Sequence, residues 1–341
     1  MANAPKIDFV MIWVDGNDPD WKKEFAKYCK DSDTSSDKDE SRYRDWDLLR
    51  YWFRGVEKFA PWVNRIHFIT CGHIPSWLNT NHPKLNWVKH SDYIPAEYLP
   101  TFSANPIELN LHRIQELEEQ FVFFNDDIFL INNVEPERFF NKNGLPCDMA
   151  VLNIQDLNGN VLFSNIVHNS LRLINANFNK HSVLSNNVWK WLNFKYGKHL
   201  LRTISLLPWY LFPGFLDAHF AHSYLKSTYN EVWKKCNSKL TQTSHTRFRS
   251  MTDVNQYIFR YWQLCSGRFH PYNVLKDSVY FDISDRFIGN IEQEIMSPTN
   301  RMICLNDSSI IKNFEELKFR LQSAFNHLLP ERSEFELYDN N

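Results

Sequence analysis

The fold of this protein is decided by the stretch IDFVMIWVDGNDP, residues 7–19. It begins with an apolar run rich in β-branched and aromatic residues, and the Asp, Gly, Asn and Pro that follow are turn formers. The pattern predicts a short strand that ends in a turn. Because an open α/β sheet binds ligands at the carboxyl ends of its strands, Asp15 lies where a ligand contact is expected.

An alternation of strands and helices continues to residue 127. Apolar residues at three- and four-residue spacing predict a helix from Asp45 to Phe59. A second helix is predicted to begin at Asn105, with Pro106 in its first turn. Short apolar runs predict further strands at 66–70, 85–88 and 121–124. This order predicts an α/β fold in which crossover helices connect the strands of a Rossmann-like central sheet.

The second half of the chain is expected to be more helical. Strands are predicted at 149–154 and 278–283, and helices at 223–236, 253–265 and 309–328. Because no Pro/Gly/Ser-rich linker divides the chain, we predict a single composite catalytic domain over 1–341. The polar stretch 31–41 is expected to form a flexible acidic loop, and 338–341 a tail.

Composition excludes several functions. The 38 Lys and Arg against 40 Asp and Glu give a net charge of −2, which argues against nucleic acid as a partner. No two of the nine glycines are separated by a single residue, so the G-x-G-x-x-G dinucleotide motif is absent, and so is the phosphate loop. A phosphate ligand would therefore have to be held by charged side chains and a metal.

An uncharged run, ISLLPWYLFPGFL, occupies residues 204–216. It is shorter than the roughly 20 residues of a transmembrane helix and contains two prolines. It can be a buried core segment, or a lip that rests on a membrane surface or an acceptor. The first six residues lack the apolar region of a secretory signal, so we expect a cytoplasmic protein with possible peripheral contact at the inner face of the cell membrane.

Asp126 and Asp127 directly follow the apolar strand predicted at 121–124. Two adjacent carboxylates at a strand end suit Mg²⁺ or Mn²⁺, since these ions prefer oxygen ligands and relieve the repulsion between the charges. The pair could equally be a solvated turn that closes the strand.

Three other constellations are weaker on spacing alone. Glu108 and His112 lie one turn apart on the second predicted helix. They could both face the site, or they could form an ordinary side-chain pair on the helix surface. His219 and His222 are three residues apart, as metal ligands, a general base with a companion, or structural residues. Arg249 precedes the helix predicted at 253–265, where it could bind a phosphate oxygen or remain an exposed loop residue.

Four blocks of the sequence together resemble the Stealth family of polysaccharide phosphotransferases. IDFVMIWVDGNDP is similar to the first conserved block, and residues 42–127, ending in FVFFNDD, to the second. HFAH at 219–222 with FRSMTDVNQY at 248–257 resembles the third, and CLND at 304–307 the fourth. Trp46, Leu48 and Ala221 depart from the residues common in that family.

The resemblance implies a nucleotide-sugar-transferase-like sheet and catalytic roles for residues that match the family motifs. These are Asp8, Glu108, Asp127, His219 and Arg249, with Asp126 and Asp127 as ligands of Mg²⁺ or Mn²⁺. Nine further residues in the matched blocks are predicted to bind substrate: Asp15, Arg44, Asp45, Arg50, Asn125, His222, Asp253, Asn306 and Asp307.

The implied reaction moves a hexose- or N-acetylhexosamine-1-phosphate from a nucleotide-sugar donor to a sugar hydroxyl. The donor would be a UDP-hexose or UDP-HexNAc, the acceptor a free or lipid-linked glycan, and the products a phosphodiester and UMP. Two alternatives remain at this point. One is a metal-dependent glycosyltransferase that releases UDP, and the other is a non-catalytic carbohydrate-binding protein.

Overall fold

The computed structural model describes residues 6–29, 44–155, 160–307 and 311–337. The expected loop at 31–41 and the expected tail at 338–341 lie outside these residues. The strands are β1 Ile7–Ile12, β2 Arg65–Thr70, β3 Leu85–Lys89, β4 Gln120–Phe124, β5 Ile128–Leu130, β6 Cys147–Asp148, β7 His222–Leu225, β8 His270–Pro271, β9 Ser278–Asp282 and β10 Met302–Asn306.

Twelve α-helices lie in the described ranges. They are α1 Pro19–Cys29, α2 Leu49–Phe59, α3 His90–Tyr93, α4 Ala104–Leu109, α5 Val161–Asn177, α6 Lys180–Asn186, α7 Val188–Trp191, α8 Leu200–Ser205, α9 Lys226–Ser244, α10 Tyr257–Cys265, α11 Ile288–Met296 and α12 Phe314–Leu328. The predicted α/β class is confirmed, with the longer helices in the second half.

The central sheet has five strands in the order β3-β2-β1-β4-β7. Strands β1 to β4 are parallel, and β7 pairs antiparallel with β4 at the edge. The strand order reverses between β1 and β4, because the chain runs outward from β1 through β2 to β3 and then returns to the other side of β1. In open parallel sheets such a reversal leaves a crevice at the carboxyl ends, where ligands bind.

Burial of apolar side chains fixes the register of this sheet. Phe9 of β1 and the residues 121–124 of β4 are fully enclosed, as expected for parallel strands covered on both faces. Helix α2 packs Trp52, Phe53 and Val56 into the same core. The predicted amphipathic helix is confirmed and covers the sheet beside β5.

A second sheet, in the order β5-β10-β9, extends from the end of β4. Strand β5 begins at Ile128 and pairs antiparallel with β10, where Ile128 lies opposite Cys304. The N–H of Leu305 donates to the carbonyl of Asp127 at 2.8 Å. This pairing brings a segment from the far end of the chain against the acidic pair.

Several predicted elements are wrong in the structure. Residues 149–154 form no strand, because their pairing is limited to one bridge between Leu152 and Phe215. The second helix is capped by Ser103 and not by Asn105, and it ends at Leu109. Asn110 follows that end, and its side-chain amide donates to the Pro106 carbonyl at 2.8 Å. The predicted helix at 223–236 is strand β7 followed by α9.

The apolar run at 204–216 is divided between the core and the surface. Phe212 and Phe215 are buried, whereas Trp209 and Tyr210 are exposed. The predicted core environment therefore holds for one part of the run, and the contact of the exposed part with a membrane or an acceptor stays a prediction. Among the residues that the structure describes, every helix is too short or too polar to cross a bilayer.

Candidate active site

Two cavities adjoin the carboxyl edge of the central sheet. The larger has a volume of about 380 Å³ and is lined by residues that follow all four parallel strands: Trp13 after β1, Cys71 after β2, His90 after β3, and Asp126 and Asp127 after β4. The smaller, of about 160 Å³, is lined by Glu108, Asn125 and His219 among others. Arg249 lines both cavities, so its side chain lies where they meet.

Asp127 lines the larger cavity, and its side chain contacts His219, which lines the smaller one. Its Oδ2 lies 3.1 Å from Nε2 of His219 and accepts the thiol hydrogen of Cys304 at 3.4 Å. Its Oδ1 is buried and has no hydrogen-bond partner among the described residues. A buried carboxylate oxygen without a donor is costly, so this atom is suited to a cation or a ligand donor.

Electrostatics in the cleft favour proton exchange near neutral pH. Desolvation in the cleft, and next the charge of Asp127, raise the pKa of Asp126 to about 7, although its side chain is open to the larger cavity. Burial alone would lower the pKa of His219, but the hydrogen bond and charge of Asp127 outweigh burial and raise it. Perturbed carboxyl and imidazole groups in one cleft are typical of an active site.

Glu108 forms the inner wall of the smaller cavity. Burial raises its pKa to about 7, although the charge of Arg249 and the N–H of Gln256 oppose this effect. Amide side chains and aromatic rings surround it, from Asn160, Asn255 and Tyr257 among others. Amides that both donate and accept, beside aromatic faces, suit a ligand rich in hydroxyl groups.

The segment that carries Arg249 is held against α4 by hydrogen bonds. The N–H of Phe102 donates to the Arg247 carbonyl at 2.8 Å. Asp253 accepts from Asn105 Nδ2 at 3.0 Å and from the Ser250 N–H at 2.9 Å, and it is fully buried. Asp253 therefore acts on the site by shaping the loop of Arg249, and its predicted contact with substrate is not seen in the cavity walls.

Polar residues from the two ends of the chain form the rim of the larger cavity. Arg44 Nη1 lies 3.4 Å from Oδ1 of Asp307, and the Trp46 indole donates to the other oxygen of that carboxylate at 3.2 Å. Burial raises the pKa of Asp45 to about 6. The predicted substrate residues Arg44, Asp45, Asn306 and Asp307 thus share one wall.

Asp8 does not join this site. It lies at the amino end of β1, opposite Phe121, whereas the acidic pair follows the carboxyl end of β4. Its carboxylate accepts from Asn64 at 2.7 Å and from the Glu118 N–H at 2.9 Å, and it contacts His67 at 3.0 Å. These partners satisfy the buried carboxylate, and the structure places Asp8 away from both cavities, so its predicted catalytic role stays a prediction.

Two other residues predicted to bind substrate also lie outside the walls of both cavities. Arg50 is exposed on α2, 4.0 Å from Glu336 and over the Trp77 ring, away from both cavities. His222 is buried in β7 opposite Phe123, and burial holds its pKa well below the usual range. Its ring belongs to the core of the sheet.

Asp15 takes a different position. It lies in the turn beyond β1, where its Oδ1 accepts the Asn17 N–H at 2.8 Å. Its own N–H donates to His73 at 2.7 Å. The side chain shapes the turn beside the larger cavity.

Several residues of the cleft are not indicated by any motif in the sequence. Cys304, Asn255 and Gln256 lie inside the blocks that resemble the family, but their spacing matches no known catalytic or metal-binding motif. His90 follows the carboxyl end of β3, and the rule that ligands bind at strand ends would have found it. Burial lowers its pKa to about 4, so it is neutral at pH 7.

Metal ligands are available at the junction of the cavities. One ligand atom each from Asp127, His219 and Cys304 lies within 4.8 Å of the others. The carboxylates of Asp126 and Asp127 provide the hard oxygen donors that Mg²⁺ and Mn²⁺ prefer, including the buried Oδ1 atom that has no described partner. The donor set therefore fits a divalent cation.

Comparison with known proteins assigns the chain to a class. The family model described as Stealth protein CR2, conserved region 2, matches residues 42–148. The capsular polysaccharide phosphotransferase WcwK of Streptococcus pneumoniae is 43% identical over 337 residues, which cover 98% of this chain and 99% of the relative. The exopolysaccharide phosphotransferase cps2G of Lactiplantibacillus plantarum is 38% identical, over 97% of this chain and 96% of its own.

A third relative is the receptor polysaccharide phosphotransferase WefC of Streptococcus oralis, 39% identical over 97% of this chain and 99% of its own. The protein is therefore an enzyme, a transferase of phosphorus-containing groups. The chain belongs to the Stealth family. This result confirms the resemblance in the motifs and rules out the non-catalytic alternative.

Proposed function

We propose that the enzyme transfers a hexose- or N-acetylhexosamine-1-phosphate from a UDP-sugar to a sugar hydroxyl of a polysaccharide. The observation that carries the proposal is the pair of cavities that meet at Arg249, with the acidic pair on one side and His219 on the other. The polysaccharide is proposed as acceptor because the relatives are named for polysaccharide products. The donor is proposed from the family resemblance.

The two cavities correspond to the two sides of an in-line displacement at phosphorus. In such a reaction the nucleophile and the leaving group lie on opposite sides of the phosphorus atom. The larger cavity, at the reversal in strand order, takes the nucleotide. The smaller cavity, with its amides and His219, takes the acceptor hydroxyl.

His219 is the general base. In the tautomer whose Nε2 donates its hydrogen to Asp127 Oδ2, the other nitrogen, Nδ1, carries the lone pair that removes the acceptor proton. The acceptor oxygen forms a bond to the β-phosphorus as the bond from that phosphorus to the bridging oxygen breaks. UMP leaves with the bridging oxygen, and the sugar phosphate becomes a phosphodiester.

Arg249 stabilises the negative charge on the transferring phosphoryl oxygens from the junction of the cavities. Asp126 and Asp127 would hold Mg²⁺ or Mn²⁺, which when bound neutralises charge on the diphosphate. Glu108, which lines the smaller cavity together with Arg249 and His219, orients the acceptor or His219.

The products test the proposal against its rival. With a UDP-sugar and a soluble oligosaccharide acceptor, we expect one UMP for each phosphodiester formed. A glycosyltransferase attacks the anomeric carbon instead of phosphorus and would release UDP. Stoichiometric UDP, measured by ion-exchange chromatography, would exclude phosphoryl transfer.

Variants test the assignment of residues. Asp127→Ala and His219→Ala should abolish turnover while circular dichroism and thermal midpoint remain near those of the parent protein. Near-parent rates in a folded variant would remove that residue from the mechanism.

We further propose that the reaction takes place in the cytoplasm, with the enzyme bound peripherally at the inner face of the cell membrane. A lipid-linked glycan would present its hydroxyl there. Comparing rates on lipid-linked and free oligosaccharides of the same sequence tests this location, since the lipid-linked form should have the lower KM on vesicles.

A further inference from the structure

One surface of the protein combines large exposed apolar side chains with positive charge. It is formed by residues 188–211, from α7 through α8 to the turn that follows, and we call it the basic aromatic surface. The largest exposed fractions belong to Phe194 at 89%, Trp189 at 81% and Tyr210 at 80%. Leu201 and Trp209 are also mostly exposed.

The fold beneath this surface is well anchored, so the exposed rings do not belong to a loose segment. Trp191 and Tyr196, between the exposed residues, are fully buried. Lys180 Nζ donates to the carbonyls of Leu206 at 2.7 Å and Leu207 at 3.1 Å, which holds the turn after α8.

Helix α8 presents a clear division between its two faces. Leu201 and Ile204, three residues apart, share the exposed face. Thr203 is buried on the other face, where its hydroxyl accepts the Leu152 N–H at 3.0 Å. The side chains of Leu201 and Ile204 therefore face solvent because the opposite face of α8 is packed against the protein.

Charge distinguishes this surface from the rest of the chain. Residues 157–216 contain six Lys and Arg but no Asp or Glu, in a chain whose net charge is −2. Lys195, Lys198 and Arg202 are exposed among the apolar side chains. The surface therefore attracts anionic partners, and two copies of it would repel each other.

We propose that the basic aromatic surface binds the interface of an anionic lipid bilayer. Trp, Tyr and Phe partition into the headgroup region, and Lys and Arg beside them bind anionic headgroups. This inference rests on the membrane location proposed above and assigns it a surface and a lipid charge. It extends the contact from the run 204–216 back to residue 188 and ends it before Phe212, which is buried in the core.

Helix α5 sets the distance between this surface and the smaller cavity. Phe163 lines that cavity near the start of α5, and Asn175, near its end, exchanges two hydrogen bonds with the backbone of Phe212 at 2.9 and 3.0 Å. Because Phe163 and Asn175 are twelve residues apart on this helix, about 18 Å separates them along its axis. The smaller cavity and the segment that continues from the basic aromatic surface therefore lie near opposite ends of α5.

Sedimentation with vesicles of phosphatidylcholine alone or with 30% phosphatidylglycerol (on the order of the anionic content of a bacterial membrane) tests the proposal. We expect the protein to bind the anionic vesicles and to lose at least about tenfold in affinity when Lys195 and Lys198 are changed to Glu. Trp189→Ser with Phe194→Ser should cause a similar loss. The matched control is Phe319→Ser on α12, an exposed residue outside the surface, which should bind as the parent does.

Failure of this inference is distinguishable from failure of the proposed reaction. UMP release with a soluble acceptor should be equal in all four proteins, because none of the changed residues lines a cavity. Equal vesicle binding by the parent and by the variant with Trp189→Ser and Phe194→Ser would show that this surface does not bind the membrane. The proposal would also be overturned if the parent protein were a dimer in analytical ultracentrifugation and the variant with Trp189→Ser and Phe194→Ser were a monomer. The surface would then be a protein interface.

Discussion

Nε2 of His219 lies 3.1 Å from Oδ2 of Asp127, although 92 residues separate them in the chain. Asp127 follows β4, and His219 precedes β7, the strand that pairs antiparallel with β4. The pairing brings the two side chains together at the end of β4. The carboxylate thereby orients a histidine through one oxygen, while its second oxygen is buried without a hydrogen-bond partner among the described residues.

The first prediction concerns the pKa of His219. Asp127 raises it against the opposing effect of burial, so Asp127→Asn should lower it. NMR titration of the imidazole without metal measures the shift. Asp45→Asn, which leaves the direct contact intact, is the control. An unchanged pKa in the Asp127 variant would show that the contact is not made in solution.

The second prediction is that Mg²⁺ or Mn²⁺ stabilises the protein. A metal at 100 times its Kd should add about 2.7 kcal/mol to the free energy of unfolding. Asp126→Asn should lose most of this gain. Without metal it should be at least as stable as the parent, because repulsion with Asp127 is removed.

Thermal unfolding with and without chelator measures this effect. Asp285→Asn, at an exposed carboxylate, should respond to metal as the parent does. A thermal midpoint independent of both ions would count against the metal site.

The third prediction uses the buried carboxyl of Glu108. Burial raises its pKa from 4.5 to about 7, so the folded protein binds the proton more tightly than the unfolded chain. This stability is full below pH 4.5 and is lost as the pH rises through 7. Glu108→Gln cannot ionise, so it should be more stable than the parent by roughly 3 kcal/mol at pH 8 and equal to it near pH 4.5.

Urea unfolding at both pH values tests this prediction. Glu97→Gln, at an exposed site, should show no such dependence on pH. A constant difference between the Glu108 variant and the parent would contradict the buried titration.

The fourth prediction separates two arginines. Arg249→Ala should lower kcat by about 10²- to 10³-fold, the usual loss when a group that stabilises transition-state charge is removed. Arg50→Ala should change kcat and KM less than about twofold, because Arg50 is itself exposed and Glu336 keeps its closer ion pair with Arg54 at 2.6 Å. A comparable loss in both variants would show that Arg50 contributes to the site despite its position outside the cavity walls.

The fifth prediction concerns the buried ion cluster that precedes His219. Arg260 donates to Asp148 at 2.8 and 3.0 Å and to Asp217 at 2.7 Å. Arg260→Met leaves both carboxylates without their cation and should cost about 3–5 kcal/mol. It should also lower kcat, because Asp217 holds the segment of His219.

A half-exposed ion pair provides the control for this cluster. Arg268→Met breaks the contact with Glu231 and should cost under about 1 kcal/mol, with kcat unchanged. Equal losses of stability in the two variants, measured by denaturant unfolding, would contradict the special role of the buried cluster.

Local patterns predicted the elements whose own residues carry the signal. Helix α2 was expected from apolar residues at three- and four-residue spacing, and strands β1 and β4 from apolar runs that are buried along almost their whole length. Strand β7 was missed because its four residues merge with α9, and antiparallel pairing with β4 makes them a strand. The second helix was overextended because Asn110 interrupts it where apolar spacing continues.

The sequence by itself determined the α/β class, the acidic pair at a strand end and the family motifs. Tertiary structure alone decided which motif residues meet: it joined His219, Asp127 and Arg249, and it placed Asp8, Arg50 and His222 elsewhere. The physical reason is that neighbours along the chain set backbone conformation and burial. By contrast, the order of the strands in the sheet and the antiparallel pairing of β7 with β4 set the distances between residues that are far apart in sequence.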